Sequence, residues 1–481
     1  MLKIFHPNRM FKYFIKTFGC QMNFSDSERL ASFLESHNFQ PIKENSQADL
    51  SAEALAKADL VIFNSCGIRK MPEDRAFGQI HNLKKNNPQI KIALTGCISQ
   101  RKDVQRVLEK KVDLFFAIKD THLLEKFILK NYLEISAQKN NLTTNEQIPY
   151  LSITPKFTNN FSAAVPIMTG CNNFCTYCVV PYARGREVSR PVEEILTEIG
   201  NLIKKGYKEI TLLGQNVNSY NGKYQIPNVK CQIKSENSEK INFSDLLRKI
   251  DNIPGKFWIR FLSSHPKDMS DELIETVTTL KKVCESVHLP IQSGDDKILE
   301  KMNRKYTQAH YLKLIEKIKE NFKKNKPLKI YSISSDIIVG FPGETKAQFE
   351  ASAQIMRQVQ YDMVYFGQFS PRPQTVAWKM KDTVTKIEKE NREKYLNEIL
   401  KKTSFDNNQK YLGKTLEILV DNKKGQFYFG KTRTLKNVKI ISPVICHPEL
   451  TKESQDLIGK FVKVKITKVS IWNLEATFYE K

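Results

Sequence analysis

The sequence contains no apolar run long enough to span a bilayer, so it predicts no membrane-spanning helix. Its first residues, Met-Leu-Lys-Ile-Phe-His-Pro, lack the design of a signal peptide. The nine cysteines are an odd number scattered over 481 residues, which argues against a secreted disulfide framework. We therefore expect a cytoplasmic protein with reduced thiols that are available to bind metal.

Acidic residues are scarce relative to basic ones. The chain has 52 Asp and Glu against 76 Lys and Arg, a net charge of +24, which suggests a polyanionic partner. The excess is mostly lysine, as in chains from genomes of biased composition. Charge alone therefore favours nucleic-acid binding only modestly over a solvated basic surface.

Three cysteines lie within eight residues, at Cys171, Cys175 and Cys178. Thiolates are soft ligands that favour iron–sulfur clusters, zinc and copper(I). Zinc and ordinary cubane clusters take four protein ligands, but the next cysteine is Cys231. Three buried cysteines or a zinc knuckle are the alternatives. A cubane held by three cysteines leaves one iron open to S-adenosylmethionine, and the spacing, with Tyr177 before the last cysteine, resembles the radical-SAM superfamily.

Residues 11–130 alternate between predicted strands and helices, which indicates a parallel α/β sheet. The strands are predicted at 13–19, 59–64 and 90–96, and the helices at 26–37, 75–85 and 100–110. Ligands gather at the carboxyl ends of parallel strands, and each of these strands is followed by a cysteine: Cys20, Cys66 and Cys97. One such cysteine alone is more often an inert core residue. Three with the same placement predict a second metal cluster with an incomplete ligand set.

Residues 131–160 are polar and predict a linker, and residues 161–390 alternate again. At least six strand–helix repeats predict a partial (β/α)6 barrel whose active site lies at the strand ends. The predicted strands are 163–168, 209–213, 257–262, 287–291, 330–339 and 363–366. A polar insertion at 221–242 interrupts one strand-to-helix loop. We expect Cys231, Cys284 and Cys446 not to be ligands.

Several barrel residues are weaker candidates for cofactor contact. Gly340 and Gly343 permit a close backbone approach, although the motif with Glu344 is as typical of a plain turn. Gln292 and Ser293 could hydrogen-bond a cofactor. Arg260 could meet a carboxylate or phosphate, and an internal ion pair is nearly as good an interpretation.

Residues 410–481 change to an alternation of period two that predicts a small antiparallel β-barrel, joined to the core by a helix over 381–409. Its strands are predicted at 414–420, 431–439 and 460–467. The segment has 14 basic and 7 acidic residues, and Phe427, Tyr428 and Phe429 add aromatic rings. This composition fits a nucleic-acid platform or a solubilising basic surface.

The motifs together resemble the methylthiotransferases, and within them the MiaB-type branch that modifies tRNA. The resemblance covers nearly the whole chain and is carried by residues 16–23, 64–69, 95–97, 170–191 and 213–220. Gly-Cys-Gln-Met-Asn and Gly-Gln-Asn-Val-Asn favour this branch over relatives that act on threonylcarbamoyl-adenosine in tRNA or on a ribosomal-protein aspartate. Ser65, Gly67 and the 221–242 insertion depart from the family pattern without removing a ligand.

The resemblance implies a methylthiotransferase N-terminal domain, a radical-SAM core and a C-terminal TRAM domain that binds RNA. It implies that Cys20, Cys66 and Cys97 hold an auxiliary 4Fe-4S cluster, while Cys171, Cys175 and Cys178 hold the cluster that binds S-adenosylmethionine. It also implies methylthiolation of carbon 2 of N6-isopentenyladenosine at tRNA position 37. That C–H bond is not acidic, so radical chemistry from the cofactor is required. The implied partners are a tRNA anticodon loop, a flavodoxin- or ferredoxin-type electron donor and a sulfur source, with no membrane and a monomeric chain. An inactive iron–sulfur RNA-binding module is the rival of a different class.

Overall fold

The computed structural model describes residues 10–42, 57–67, 70–132, 150–225, 238–441 and 456–479. The chain divides into two compact units. The first comprises Met1–Thr158, Thr169–Val188 and Ser370–Trp378, and the second comprises Asn159–Met168, Ser189–Phe369 and Lys379–Lys481. The Cys171–Cys178 loop therefore belongs to the first unit with the N-terminal cysteines, although its position in the sequence predicted that it belongs with the barrel.

The first unit is built on a parallel sheet, as predicted, but the sheet has five strands and only three were predicted. In chain order its strands are Phe11–Phe18, Phe39–Pro41, Leu60–Ser65, Lys91–Gly96 and Leu114–Phe115, and the second of them lies at one edge beside the first. The central strand Leu60–Ser65 is buried along its whole length, which is typical of a parallel sheet covered on both faces.

Helices cover both faces of this sheet. They are Gln21–Glu35, Lys70–Asn86, Lys102–Leu108 and Thr121–Tyr132, and the short helix Val180–Arg184 belongs to the same unit. The first begins before the predicted residue 26, because Asn23 accepts a hydrogen bond from the backbone N–H of Cys20 (3.4 Å) and closes the first turn. The predicted linker is also shorter at both ends, since the helix reaches Tyr132 and Tyr150 is buried in the core. Residues 133–149 lie outside the described residues.

The second unit contains the predicted partial barrel of six parallel strands. Three strands form one sheet, Ser162–Pro166, Glu209–Leu213 and Trp258–Phe261, and three form another, Ser286–His288, Ser332–Val339 and Met363–Gln368. A parallel bridge between Ile259 and Val283 joins the two sheets. The described helices of this unit are Val192–Lys204, Phe243–Asp251, Asp271–Thr279, Asp296–Lys301, Gln308–Asn325, Lys346–Val359 and Lys386–Gln409.

The insertion at 221–242 begins and ends as an antiparallel hairpin of Asn221–Gln225 with Ser238–Asn242. Residues 226–237, including Cys231, lie outside the described residues, as does Cys446. Of the two short paired strands Met168–Thr169 and Val188–Ser189, one precedes and one follows the Cys171–Cys178 loop. Among the described residues, no helix is long and apolar enough to cross a membrane.

The C-terminal residues form the predicted small barrel, which is closed and has five strands. It was predicted to be antiparallel, but the pair Asn437–Ile440 and Asn473–Phe478 is parallel. They are Thr415–Lys424, Phe427–Thr432, Asn437–Ile440, Phe461–Val469 and Asn473–Phe478. The prediction of one strand over 431–439 was wrong, because the chain turns there, with Leu435 at a φ of 62°. The small barrel packs firmly on the partial barrel within the second unit: Arg433 forms an ion pair with buried Glu285 (2.6 Å).

Candidate metal centre

Two groups of three cysteines lie in the first unit, and the first group follows three neighbouring strands. The backbone N–H of Cys66 donates to the carbonyl of Phe18 (2.8 Å), and that of Cys97 donates to the carbonyl of Ser65 (2.9 Å). Cys66 and Cys97 are thus each held by the strand beside their own. Cys20, Cys66 and Cys97, called the strand-end cysteines below, come together at the carboxyl edge of the sheet, where ligands of parallel sheets bind.

Glycines make room for this convergence. A Cβ on Gly19 would lie 2.6 Å from the Cβ of Cys66, and one on Gly67 would lie 3.1 Å from the carbonyl oxygen of Cys97. Gly19 also has a φ of +147°, a conformation that side chains rarely adopt. The backbone beside the strand-end cysteines is therefore as close as van der Waals contact allows.

The environment of Cys20 favours its thiolate form. A hydrogen bond from Cys66, followed by the positive charge of Arg184, lowers the pKa of Cys20 to about 6. Arg184 is itself buried and forms an ion pair with buried Asp26 (2.6 Å). Thiolates are the form that binds metal, so this edge of the sheet suits a soft metal ion or cluster.

The second group lies on a loop whose ends meet. The backbone N–H of Cys171 donates to the carbonyl of Gly185 (3.2 Å), and that of Cys178 donates to the carbonyl of Cys175 (2.9 Å). Inside the loop Phe174 has a φ of 47°, which is strained for a non-glycine residue. Cys171, Cys175 and Cys178, called the loop cysteines below, are thus fixed by the backbone around them.

The loop cysteines differ from Cys20 in their electrostatics. Burial raises the pKa of Cys171. Burial also raises the pKa of Cys178, as do the negative charges of Cys175, Cys171 and Cys97. Cys97 is a strand-end cysteine, so the two groups are close enough to interact electrostatically. Thiols with raised pKa values need added positive charge to ionise, which a bound metal supplies.

The ligand set of a single metal ion is not formed in the part of the chain that the structure describes. Among the described residues, no three His, Cys, Asp or Glu side chains converge as the ligands of one metal ion do.

A segment distant in sequence joins this centre. The N–H of Ala377 donates to the carbonyl of Thr176, beside Cys175 (2.8 Å). Arg372 donates to buried Glu73 (3.2 Å), and its pKa responds to the charge of Cys66. The segment Ser370–Trp378 thus adjoins both cysteine groups. Its position about 200 residues after the loop kept it out of the sequence-based predictions, although its two prolines, one arginine and one tryptophan after a strand are a recognisable signal.

The weaker candidates lie in the second unit at the carboxyl ends of two strands. Glu344 is buried, and it accepts hydrogen bonds from the N–H of Gly340 and from Arg392 (both 2.8 Å). Its carboxylate therefore closes the turn that contains Gly343. Gln292 has a strained φ of 73°, and Ser293 is fully buried. The backbone N–H groups of Gln292, Gly340 and Gly343 all donate within the protein. No described contact therefore assigns cofactor binding to these positions.

Arg260 forms an internal ion pair, which was the second of its two interpretations. It pairs with Glu209 (2.6 Å) and donates to the carbonyls of Arg433 and Thr432 (both 2.8 Å). It fixes the small barrel to the partial barrel and does not face an open site.

Other strand-end residues were not predicted as site residues. Gln215 and Asn216 follow the strand Glu209–Leu213, and Ser264 follows Trp258–Phe261. Each has a buried side-chain oxygen without a hydrogen-bond partner among the described residues. Buried polar atoms normally have partners, so these oxygens are candidates for ligand contact. Strand-end position and polar character were the available signal.

Two family models match parts of this chain. Residues 165–356 match the radical SAM superfamily, and residues 12–117 match uncharacterized protein family UPF0004. A solved structure of the radical S-adenosylmethionine methyltransferase TsrM from Kitasatospora setae is similar in fold, with a TM-score of 0.54 at 13% identity, covering 77% of this chain and 75% of that one. A 4Fe-4S cluster and S-adenosylmethionine are the cofactors of the radical-SAM superfamily.

Curated relatives are similar over nearly the full length. A tRNA-2-methylthio-N(6)-dimethylallyladenosine synthase from Thermoanaerobacter pseudethanolicus is 38% identical, covering 97% of this chain and 93% of the relative. One from Clostridium botulinum (strain Langeland) is 40% identical, covering 97% of each. The chain therefore belongs to the tRNA-2-methylthio-N(6)-dimethylallyladenosine synthase family of radical-SAM enzymes.

Proposed function

We propose that this chain is a methylthiotransferase that converts N6-isopentenyladenosine at position 37 of tRNA into its 2-methylthio derivative. The observation that carries the proposal is the presence of two groups of three cysteines in one compact unit. One group could serve radical formation, and the other could serve sulfur insertion. The full-length similarity to synthases with this activity in their names supports the assignment.

The strand-end cysteines would hold an auxiliary 4Fe-4S cluster, and the loop cysteines would hold the cluster that binds S-adenosylmethionine. When bound, the two clusters and S-adenosylmethionine would supply a radical that abstracts hydrogen from carbon 2 of adenine, as well as the sulfur and methyl that replace this hydrogen. Each group of three leaves one iron without a cysteine. Such an open position is typical of a reactive site, whereas a purely structural site is normally closed.

The surrounding residues would hold and charge-balance the centre. Arg184 acts electrostatically on Cys20 and Cys97, and Arg372 acts on Cys66. Buried carboxylates fix both arginines: Asp26 holds Arg184, and Glu73 holds Arg372. Positive charges in fixed positions would stabilise the thiolates of a cluster. Burial of Cys66, Cys97 and Cys171 would limit the access of water.

The small C-terminal barrel would bind the tRNA backbone. Three lysines on the strand Phe461–Val469 are exposed on one face: Lys463, Lys465 and Lys468. The predicted aromatic platform needs a correction, because Tyr428 is 2% exposed and belongs to the barrel core. Phe427 is half-buried beneath the ammonium group of Lys439 (4.0 Å). The proposal therefore rests on lysine contacts with phosphates more than on stacking here.

Reduction and sulfur supply would come from other molecules. A flavodoxin- or ferredoxin-type protein would deliver electrons, a separate source would restore the inserted sulfur, and the chain would act as a monomer. A tRNA substrate would place the reaction in the cytoplasm.

Two cysteine variants test the division of labour. Cys175→Ala should abolish deoxyadenosine formation from S-adenosylmethionine and leave the iron held by the strand-end cysteines. Cys66→Ala should retain deoxyadenosine formation and lose methylthio product. Cys284 is a buried cysteine in the second unit. Cys284→Ala is the matched control and should keep both deoxyadenosine formation and the methylthio product. Normal deoxyadenosine formation by Cys175→Ala would refute the role of the loop cysteines.

A further inference from the structure

Large apolar side chains are exposed around the cysteines of the first unit. Phe24 and Tyr182 are each 46% exposed, Trp378 is 50% exposed and Val376 is 52% exposed. We call these four residues the apolar rim. They come from three separate segments of the chain, each of which also carries or contacts a cysteine group. Exposed apolar groups that cluster beside a site mark a binding surface more often than scattered ones do.

Three of the four rim residues contact residues of the Cys171–Cys178 loop or adjoin a residue that does. Val376 and Trp378 are on either side of Ala377, whose N–H binds the carbonyl of Thr176. Two residues before Thr176, the ring of Phe174 meets Tyr182 edge-on, with centroids 6.1 Å apart.

The remaining rim residue lies beside the strand-end cysteines. The N–H of Phe24 donates to the carbonyl of Cys20 (3.3 Å). The ion pair between Asp26 and Arg184 then joins the helix of Phe24 to the helix of Tyr182. The rim therefore follows both cysteine groups.

Positive charge accompanies these rings. The guanidinium of Arg186 lies 4.4 Å from the centroid of the Phe174 ring, and Arg186 is exposed. Aromatic faces beside arginine are the surface on which unpaired RNA bases stack while phosphates meet the cation. A regular duplex offers no exposed base faces to such a surface. The combination therefore selects a single-stranded RNA loop over a duplex.

We propose that the apolar rim is the stacking surface for unpaired bases of the RNA loop that flank the target adenosine, with Trp378 as its principal ring. This inference rests on the proposed function, since it assumes an RNA loop as substrate. It goes further by assigning recognition of the loop to Phe24, Tyr182, Val376 and Trp378. Lysines of the small barrel would then supply affinity for phosphates, and the rim would supply the preference for a loop.

Trp378→Ala in the full-length reconstituted protein tests the proposal. The probe is a stem-loop RNA that carries N6-isopentenyladenosine at position 37, and duplex RNA of equal length is the comparison. We expect stem-loop affinity to fall roughly 5- to 150-fold, the effect of losing one base stack. Duplex affinity and the salt dependence of binding should stay unchanged, because no phosphate contact is lost. Trp378→Tyr should restore most of the affinity.

Fluorescence gives a readout independent of catalysis. In a Trp472→Phe background the remaining tryptophans are Trp258, 2% exposed, and Trp378, 50% exposed. Addition of the stem-loop should quench the emission of Trp378, and duplex RNA should not. Tyr182→Ala provides a second weakened variant. Leu328→Ala, at a residue that is 96% exposed in the second unit, is the control and should bind as the unmodified protein does.

Three outcomes separate the possibilities. If Trp378→Ala binds the stem-loop with unchanged affinity while the wild-type protein binds and modifies it, the rim is not the stacking surface. The proposed function would still stand. If Trp378→Ala binds RNA normally but is reduced more slowly by the electron-donor protein, the rim is a protein-docking surface. That result would also overturn the stacking proposal. Wild-type protein that neither binds nor modifies the stem-loop would instead count against the proposed function.

Discussion

Gly170→Ala should damage the loop cysteines selectively. Gly170 directly precedes Cys171 and has a φ of +79°. A Cβ there would lie 2.5 Å from the carbonyl carbon of Arg186 and 2.7 Å from the carbonyl oxygen of Gly185. Both are backbone atoms, so no side-chain rotation can relieve the contact. The same carbonyl of Gly185 accepts the hydrogen bond that closes the loop at Cys171.

The size of the effect follows from these distances. Carbon atoms pack best at roughly 3.5 Å, so the backbone must move by about 1 Å. Functional groups must be held to within roughly 0.5 Å, and the shift is about twice that. The left-handed φ adds about 1–2 kcal/mol for any residue with a Cβ. Gly206→Ala is the matched control, because Gly206 has a φ of +92° and open space around its Cβ position.

Two measurements test this prediction: the iron and sulfide content after anaerobic reconstitution, and the rate of deoxyadenosine formation. Gly170→Ala should lose the iron of the loop cysteines and deoxyadenosine formation, while it keeps the iron of the strand-end cysteines. Gly206→Ala should unfold about 1–2 kcal/mol more easily and keep full iron and activity. Full iron content and normal deoxyadenosine formation in Gly170→Ala would refute the link between this backbone geometry and the cluster.

Three further predictions concern the second unit. Arg433→Ala leaves buried Glu285 with Lys326 as its remaining partner (3.1 Å), so loss of the charged hydrogen bonds should cost about 1.5–3 kcal/mol in urea unfolding. Arg248→Ala, which removes an exposed pair, should cost under about 1 kcal/mol. Burial lowers the pKa of His265 to about 2, so the folded protein keeps this imidazole neutral while the unfolded chain binds a proton below pH 6.5. The free energy of unfolding should therefore fall by about 1.4 kcal/mol per pH unit below about pH 6. His265→Gln should remove this pH dependence, and an equally steep fall in the variant would disprove the role of His265. The exposed strand lysines are Lys463, Lys465 and Lys468. Their replacement by Gln should make the slope of log binding constant against log salt concentration for tRNA shallower by about 0.7–0.9 per lost phosphate contact. An unchanged slope would exclude their contact with phosphates.

Much of the fold could be predicted because its signals are local. Buried strands such as Glu209–Leu213 end where the apolar run ends, and parallel strands bring their following residues to one edge. The strand-end cysteines could be grouped for that reason before any coordinates were known. The helix Lys346–Val359 likewise begins at a local signal, the cap at Thr345.

Features that depend on tertiary contacts could not be predicted in the same way. Nothing near Trp378 in sequence reveals that its segment meets the Cys171–Cys178 loop. The turn after Thr432 is held by Arg260, which is more than 170 residues away. The predicted strands did not include Tyr428, which lies on the strand Phe427–Thr432 of the closed barrel with its ring buried. The sequence therefore predicted which cysteines lie together better than it predicted the surface around them.

The central claim concerns product formation on tRNA. Reconstituted wild-type protein should be incubated with S-adenosylmethionine, a reductant and tRNA that carries N6-isopentenyladenosine at position 37. The tRNA should then be digested and its nucleosides analysed by mass spectrometry. We predict a nucleoside heavier by one methylthio group in place of hydrogen, with the substituent on carbon 2. Unmodified N6-isopentenyladenosine from an enzyme with full iron content and active S-adenosylmethionine cleavage would contradict the account.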